Sequence, residues 1–429
     1  MIAIIRNKVD SFPIRNIYIL NISFVFVWWI LLNPGFYSVD SIAVLNRVAS
    51  GNLISEWTYL WDVFVYVTTL GGVFPQLATL AGGLILVSSF TFFCLSFFDR
   101  KVACLTSVFV SNLPIVFGLG LTLWHDVTMT SGLLLFAALI KNTHEKKRVN
   151  KVIYLLSFLL VNTRLNGFWT LLFCIVTIAM LKRIRVNHFI GLTAFLILVT
   201  APLSYLNTIH ASNENAQVAG LTHWMKYDIS CYLSVDAQAR TEVSRSLHEK
   251  GMFLIEVTDG RACNWFMNPE ELASWSLVPT ESIVNIWLRL FRSDVASVFE
   301  IHASRSEYLV FNPFRVPAKP PFLHTNIEYE NPWVQEWNPD VYQFARIFPR
   351  AWNFIGSITA YAGFWWFVIL ISLLRNSKYF SIFVMSTILN ASVFVTAIIP
   401  DARYVAFTLI TGITLMTAAF FKFVLSRSS

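Results

Sequence analysis

The sequence predicts an all-α polytopic membrane protein, and three observations lead to this fold class. Of the 429 residues, 56% are apolar and only 13% are charged, whereas a soluble domain carries about 25% charged residues. The mean hydropathy is +0.59, and the 38 Phe and 15 Trp suit a lipid-facing surface with aromatic rings at its interfaces. Long apolar runs recur along the chain. This composition excludes a water-soluble globular protein, a disordered chain and a coiled coil.

Ten apolar segments are predicted to span the membrane as helices. Most have the roughly 17 to 25 residues that a bilayer crossing needs, and three are short for that purpose. The ten segments are 17–33, 75–98, 102–123, 127–140, 152–162, 167–181, 188–206, 352–374, 379–399 and 403–425. They divide the chain into an N-terminal module of seven spans (1–206), an external domain (207–351) and a C-terminal module of three spans (352–429).

The distribution of charge predicts the orientation of these spans. The short segments on one side, together with both termini, hold 17 Lys and Arg against three acidic residues, a net charge of +14. The rest of the chain holds 15 against 22, a net of −7, and the two parts sum to the total of +7. Because short basic loops stay in the cytoplasm, both termini are predicted to be cytoplasmic and the external domain to lie on the outer face.

The first external loop, 34–72, is predicted to contain a short helix. Ser38 is a suitable N-cap, the helix starts near Val39, and Gly51 marks its end. Apolar residues recur at helical spacing, so the helix is expected to lie flat at the membrane interface. Asp40 falls in its first turn, where the helix dipole favours a negative charge.

Arg164 is the clearest ionisable exception within the predicted spans. The segment 152–162 covers about 17 Å at 1.5 Å per residue, which is too short to cross a core of about 30 Å, and residues 163–167 then turn the chain back. An intramembrane Arg costs at least about 2.5 kcal/mol and marks a function or a partner. The pattern predicts a re-entrant hairpin with Arg164 and Asn166 at the floor of an outward-facing cavity.

Four polar clusters are predicted to meet at the outer ends of the spans. They are Asp40 with Glu56 and Asp62, His125 with Asp126, Arg164 with Asn166, and Asp401 with Arg403 and Tyr404. A lipid-linked phosphate that carries a sugar needs such a set: Arg for the phosphate, a carboxylate for the accepting hydroxyl, and apolar walls for the lipid.

These motifs resemble those of the GT-C glycosyltransferases, in particular bacterial enzymes that modify O-antigen and other envelope glycans. The similarity follows the order of the chain but each motif is short: it comprises 34–41 (PGFYSVDS), 123–126 (LWHD), 163–167 (TRLNG) and 400–404 (PDARY), with weaker echoes at 227–229 (YDI) and 287–290 (WLRL). One departure is that 55–59 (SEWTY) lacks the His-Pro pair that often follows an acidic residue in this loop of the family.

The resemblance implies a hexosyltransferase in the bacterial inner membrane with a periplasmic active site. Its donor would be a sugar on a polyprenyl phosphate such as undecaprenyl phosphate, and its acceptor a lipid-linked glycan of the lipopolysaccharide O-antigen kind. Asp40 or Asp126 would be the catalytic carboxylate. The residues expected to bind the donor or its phosphate are Arg164, Arg403, His125, Asn166, Glu56 and Tyr404. Membrane lipids are further partners, and nucleic acid is not expected.

Plainer interpretations stand beside these roles. Asp40 and Asp126 also fit helix starts, Arg164 also fits a salt bridge that braces the hairpin, and Asn166 fits turn chemistry. Glu56 and Asp62 are expected to be solvated loop charges.

Two classes of function compete with sugar transfer. A polymerase or ligase that moves a whole lipid-linked oligosaccharide would use similar Arg residues. A flippase or transporter of lipid-linked sugars would instead need polar residues along a path to the cytoplasmic side, and the sequence shows none.

Metal and redox chemistry are weakly specified. A Mg²⁺ or Mn²⁺ ion held by Asp40, Asp126 or Glu56 would help to neutralise a leaving phosphate, but no ligand spacing requires one. Cys231 and Cys263 both lie in the predicted external domain, where an oxidising compartment permits either a disulfide or two thiols.

Overall fold

A computed structural model describes the chain at residues 13–32, 35, 37, 39–51, 53, 58–145, 151–181, 185–209, 216–249, 274–275, 277–310, 362–396 and 402–427. These residues form helices and no strands, so the all-α class is confirmed for them. The helices are α1 (Ile14–Leu31), α2 (Val39–Ala49), α3 (Tyr59–Thr68), α4 (Pro75–Phe97), α5 (Arg100–Ser111), α6 (Pro114–Gly120), α7 (His125–His144), α8 (Lys151–Val161), α9 (Gly167–Met180), α10 (Val186–Ile209), α11 (Ala216–Val235), α12 (Ala237–His248), α13 (Thr280–Ser293), α14 (Val295–Val310), α15 (Ala362–Arg375), α16 (Phe380–Thr396) and α17 (Ala406–Arg427).

Four of these helices are long and apolar enough to cross a membrane, judged by length and composition: α1, α4, α10 and α17. Helices α8, α9 and α15 are apolar but shorter. The membrane class of the chain is therefore supported, and the count of ten spans stays a prediction.

The predicted span 102–123 is not one continuous helix. Helix α5 ends at Ser111, and α6 begins at Pro114. Leu113 between them has extended backbone angles, φ −70° and ψ 138°. Proline disfavours helical geometry in the residue before it and has no N–H to donate, so the helix breaks at this point.

The core of the membrane module is built around α4 and α7, which pack along each other and against α1, α5, α8 and α17. Phe90, Phe136 and Phe407 are fully buried within this core. Gly132 allows α7 and α8 to approach closely, because a Cβ there would stand 2.7 Å from the Ser157 carbonyl oxygen. The hairpin that follows α8 is thereby held against the start of α7.

Helix α2 has the bounds that the sequence predicts, and it is joined by a helix that the sequence analysis does not foresee. Leu45 and Val48 on α2 bury their side chains against Trp61 and Val65 of α3. The Thr58 side chain caps α3 by accepting the Trp61 N–H. The apolar face of α2 is thus covered by protein, and its place at the membrane interface stays a prediction.

The predicted external domain is helical where the structure describes it, and it has a core of its own. Helices α11, α12, α13 and α14 pack around Trp275, which is fully buried and donates its indole N–H to Ser230 at 2.8 Å. Helix α14 also packs on α15 and α16 of the C-terminal module. The expected Pro-rich arm, 313–339, lies outside the described residues.

Candidate functional site

Arg164 lies in the turn at 162–166 between α8 and α9, where the sequence predicts that the chain folds back, and the outward-facing cavity stays a prediction. Gly167 opens α9 and its N–H bonds the Arg164 carbonyl at 2.9 Å. A side chain at Gly167 would clash, because its Cβ would stand 2.0 Å from the Val161 carbonyl oxygen. A glycine is therefore required where the chain folds back over the end of α8.

Thr163 ties this turn to two other elements. Its hydroxyl lies 2.7 Å from the Thr128 hydroxyl of α7, and its carbonyl accepts the Thr58 hydroxyl at 2.8 Å. Thr58, Thr128 and Thr163 are all buried. The start of α3, the first turn of α7 and the Arg164 turn are thus one hydrogen-bonded unit.

The Arg164 guanidinium is paired with Asp126 and stacked on Tyr404. Its Nη1 donates to Asp126 Oδ1, and its Cζ lies 4.6 Å from the centre of the Tyr404 ring. Asp126 is 1% exposed, whereas the Arg164 side chain retains 16% exposure. Within the described part of the chain, Nε and Nη2 of Arg164 have no hydrogen-bond partner. We call Asp126, Arg164 and Tyr404 the Arg164 cluster.

His125 lies beside this cluster at the first position of α7. Its Nε2 is 3.8 Å from Asp126 Oδ2, and its ring meets the Trp61 ring edge-on at 5.9 Å. His125 is 7% exposed. The aromatic contact joins α3 to the start of α7, so the first loop and the His125–Asp126 motif come together as expected.

Asp40 lies in the first turn of α2 and is half-buried. The next residue, Ser41, is buried and donates its hydroxyl to the Leu123 carbonyl at 2.7 Å. Leu123 is two residues from His125, so the first turn of α2 lies next to the start of α7. This arrangement brings the Asp40 backbone to the same end of the module as Asp126.

The remaining site residues are described to different extents. Asn166 is half-buried in the Arg164 turn, and its Oδ1 is enclosed without a hydrogen-bond partner among the described residues. Arg403 lies in the short 3₁₀ helix Ala402–Val405, which packs on α7, α16 and α17. Glu56 and Asp401 are outside the described residues. The structure therefore joins His125, Asp126, Arg164 and Tyr404, which belong to three of the predicted clusters, and it places the first turn of α2 near them.

Asp62 is a correction to the sequence analysis, because it is not a solvated loop charge. Its side chain is fully buried in the first turn of α3, and Arg47 of α2 lies 3.4 Å from its Oδ1. The packing of α2 on α3 removes Asp62 from water, and the guanidinium of Arg47 compensates its charge.

The two weaker motifs, which lie in the predicted external domain, meet in a second buried cluster. The Trp287 indole N–H donates to Asp228 Oδ2 at 2.9 Å, and His302 Nδ1 lies 3.1 Å from the same oxygen. Asp228 is 1% exposed. We call these three residues the Asp228 cluster. Sequence reasoning does not single out His302, because a lone His on an amphipathic helix carries no signal of its partner.

The described residues bear on two further kinds of site, metal sites and cysteine pairs. They contain no group of three or more His, Cys, Asp or Glu side chains that could hold a metal ion. Cys231 is disulfide-bonded, whereas Cys94, Cys104 and Cys174 are free. Cys263 lies outside the described part of the chain.

No protein-family model matches this chain, and no curated protein does either. A solved structure with some similarity is ArnT from Cupriavidus metallidurans in the apo state, with a TM-score of 0.38 and 12% sequence identity over 93% of this chain and 76% of that chain. A likeness of this size does not by itself establish a shared fold or activity.

Proposed function

We propose that this chain is a membrane glycosyltransferase of the GT-C type. It would transfer a hexose from a polyprenyl-phosphate donor, such as one on undecaprenyl phosphate, to a lipid-linked, O-antigen-like glycan. The reaction would take place on the periplasmic face of the bacterial inner membrane. The observation that carries the proposal is the state of the Arg164 guanidinium. Asp126 and Tyr404 orient it, and among the described residues its Nε and Nη2 have no hydrogen-bond partner, so these two donors are available for a ligand.

Arg164 has the properties that a phosphate site requires. Asp126 holds Nη1, and the Tyr404 ring supports the guanidinium plane. An Arg that is oriented in this way loses little freedom on binding, and its planar fork matches phosphate oxygens bidentately. The limited exposure of the side chain, 16%, strengthens the attraction for a phosphate relative to that in bulk water.

Asp40 is the base in this proposal. It would accept the proton of the acceptor hydroxyl while the hydroxyl oxygen attacks the anomeric carbon of the donor. The bond from that carbon to the carrier phosphate breaks, and the electron pair leaves on the phosphate oxygen, where Arg164 and Arg403 stabilise it. Asp126 is engaged by Arg164, so its role here is to orient the guanidinium.

The other predicted residues take supporting roles. His125, beside Asp126 at the start of α7, would contact the sugar or its phosphate. The enclosed Asn166 Oδ1 is an acceptor for a sugar hydroxyl. Glu56 would contribute from the first loop, and a Mg²⁺ or Mn²⁺ ion near Asp40 would assist the leaving group.

The proposal is tested by expression in a host that makes polyprenyl-phosphate sugars, followed by mass analysis of the surface glycan. The wild type should add the mass of one hexose. Asp40→Asn should abolish this gain, and Asp236→Asn, a helix N-cap in the external domain, is the matched control that should retain it. Addition of whole oligosaccharide units would instead favour the polymerase or ligase, and transfer that survives Asp40→Asn would place the base elsewhere.

A further inference from the structure

The Asp228 cluster reaches beyond the external domain and contacts a helix of the membrane module. His302 Nε2 lies 2.9 Å from the Phe394 carbonyl oxygen, and the His302 and Phe394 rings meet edge-on at 5.4 Å. Phe299, one turn earlier on α14, also packs on Phe394 at 6.2 Å. The external domain is therefore attached to α16 by a polar contact with an aromatic surround.

Phe394 lies near the end of its helix, so this contact bears on how the helix ends. Phe394 lies in the last turn of α16, which ends at Thr396, and the last four carbonyls of a helix have no partner within it. His302 supplies a donor to one of these carbonyls from a different part of the chain. The contact thus fixes the end of α16 rather than its middle.

The chain leads from this helix end to the Arg164 cluster. The 3₁₀ helix Ala402–Val405 begins six positions after Thr396, and it carries Tyr404. This 3₁₀ helix packs on α16, α7 and α17. Helix α16 and the short helix that carries the Tyr404 ring therefore pack directly on each other.

The external side of the contact is held by Asp228. Its Oδ2 faces His302 Nδ1 and accepts the Trp287 N–H, while the Trp224 ring meets the rings of both Trp287, at 5.2 Å, and His302, at 5.1 Å. The imidazole is thereby oriented from its Nδ1 edge, and its Nε2 edge points at the Phe394 carbonyl. A ring fixed on both edges suits a positioning role better than a ligand-binding one.

We infer that His302 is a positioning residue of the candidate site: oriented by Asp228, it anchors the end of α16 to the external domain and thereby holds Tyr404 against Arg164. This inference rests on the proposed function for its effect on catalysis, but its structural content can be tested without any activity. Asp228 and Trp287 support the same positioning role, because they hold the imidazole of His302 in place.

The first test is hydrogen–deuterium exchange of the whole protein in lipid nanodiscs. His302→Phe keeps an aromatic ring but removes the donor, and it should speed exchange in the last turn of α16 and in 402–405 about fivefold, the equivalent of one hydrogen bond. Exchange in the middle of α4 should not change. His302→Gln, which retains an N–H, should restore protection in part, and the exposed His248→Phe is the matched control. Unchanged exchange at 402–405 in a folded His302→Phe protein would overturn the inference.

The second test links the anchor to the site through undecaprenyl phosphate binding in the same nanodiscs. His302→Phe should weaken binding about fivefold in the wild-type background and have no further effect in Tyr404→Ala. Equal weakening in both backgrounds would show that His302 does not act through Tyr404. If the wild type does not bind the carrier, the proposed function fails, and the exchange experiment still decides the inference.

Discussion

The Arg164 cluster and the Asp228 cluster are built from the same kinds of residue, and they differ in how fully the basic group is occupied. Each pairs an aspartate that is 1% exposed with a basic side chain and places an aromatic ring against that side chain. Arg164 has a partner on one nitrogen among the described residues, whereas both nitrogens of His302 face oxygen atoms. We conclude from the comparison that a basic side chain with donors not used inside the protein is suited to bind a ligand. A basic side chain whose nitrogens all face protein atoms is suited to position other residues.

The largest effect on activity is expected from removal of the Arg164 side chain, which carries the Nε and Nη2 donors. Arg164→Ala should lower the rate of sugar transfer by about 100-fold or more, since the loss of one oriented donor to a developing oxyanion costs about that much. The rate is measured with purified enzyme in nanodiscs and a polyprenyl-phosphate sugar. Arg245→Ala, at an exposed position of α12, is the control. A full rate with Arg164→Ala would show that the guanidinium is only a brace for the turn.

A second prediction concerns the residue that orients the guanidinium. Asp126→Asn keeps an acceptor for Nη1 but loses its charge, so the affinity for undecaprenyl phosphate should fall about tenfold. Titration of the carrier in nanodiscs measures this. If Asp126 were itself the base, Asp126→Asn would abolish turnover with carrier affinity unchanged.

Loss of the aspartate should act mainly on carrier affinity in the Arg164 cluster and mainly on stability in the Asp228 cluster. Asp228→Asn weakens the hydrogen bond that Trp287 donates to this buried carboxylate and removes the charge that faces His302, so it should lower the free energy of unfolding by about 2–3 kcal/mol while carrier affinity falls only several-fold. Thermal unfolding in detergent and carrier titration measure the two quantities. If Asp228→Asn were as stable as Asp236→Asn, the Asp228 cluster would not contribute to the stability of the domain.

The smallest expected effect is a dependence of stability on pH. Burial lowers the pKa of His302 below its usual value of 6.5, although its hydrogen bond to the Phe394 carbonyl acts in the opposite direction. The unfolded chain then binds a proton more readily than the folded one, so His302 makes the protein less stable as pH falls below about 6.5. Between pH 7.5 and 5.5, the unfolding temperature of the wild type should drop more than that of His302→Gln. An equal drop would contradict this account.

What the sequence could predict follows from how each signal is encoded. The bounds of α2 and the turn at Arg164 were predictable because Gly51, Gly167 and a charge in an apolar run act locally. The break at Pro114 and the cap at Thr58 are also local signals, but the surrounding apolar run and loop obscured them. The burial of Asp62 was not predictable, because it depends on Arg47 reaching across from another helix.

The contacts within the predicted external domain were also hard to predict from sequence, because they join distant parts of the chain. The motifs around Asp228 and Trp287 drew attention through their resemblance to a family, but their contact joins residues 59 positions apart. His302 enters from a third helix, and its second contact is a backbone carbonyl 92 positions away. A backbone partner leaves no trace in residue type, so only the fold reveals it.

The most direct measurement of the central claim is the affinity of the purified protein for undecaprenyl phosphate, compared between wild type and Arg164→Lys. Lysine keeps the charge but lacks the planar fork, so binding should weaken about tenfold or more, whereas the exposed Arg245→Lys should bind like the wild type. Equal affinity for wild type and Arg164→Lys would contradict the claim that the spare donors of Arg164 grip the carrier phosphate.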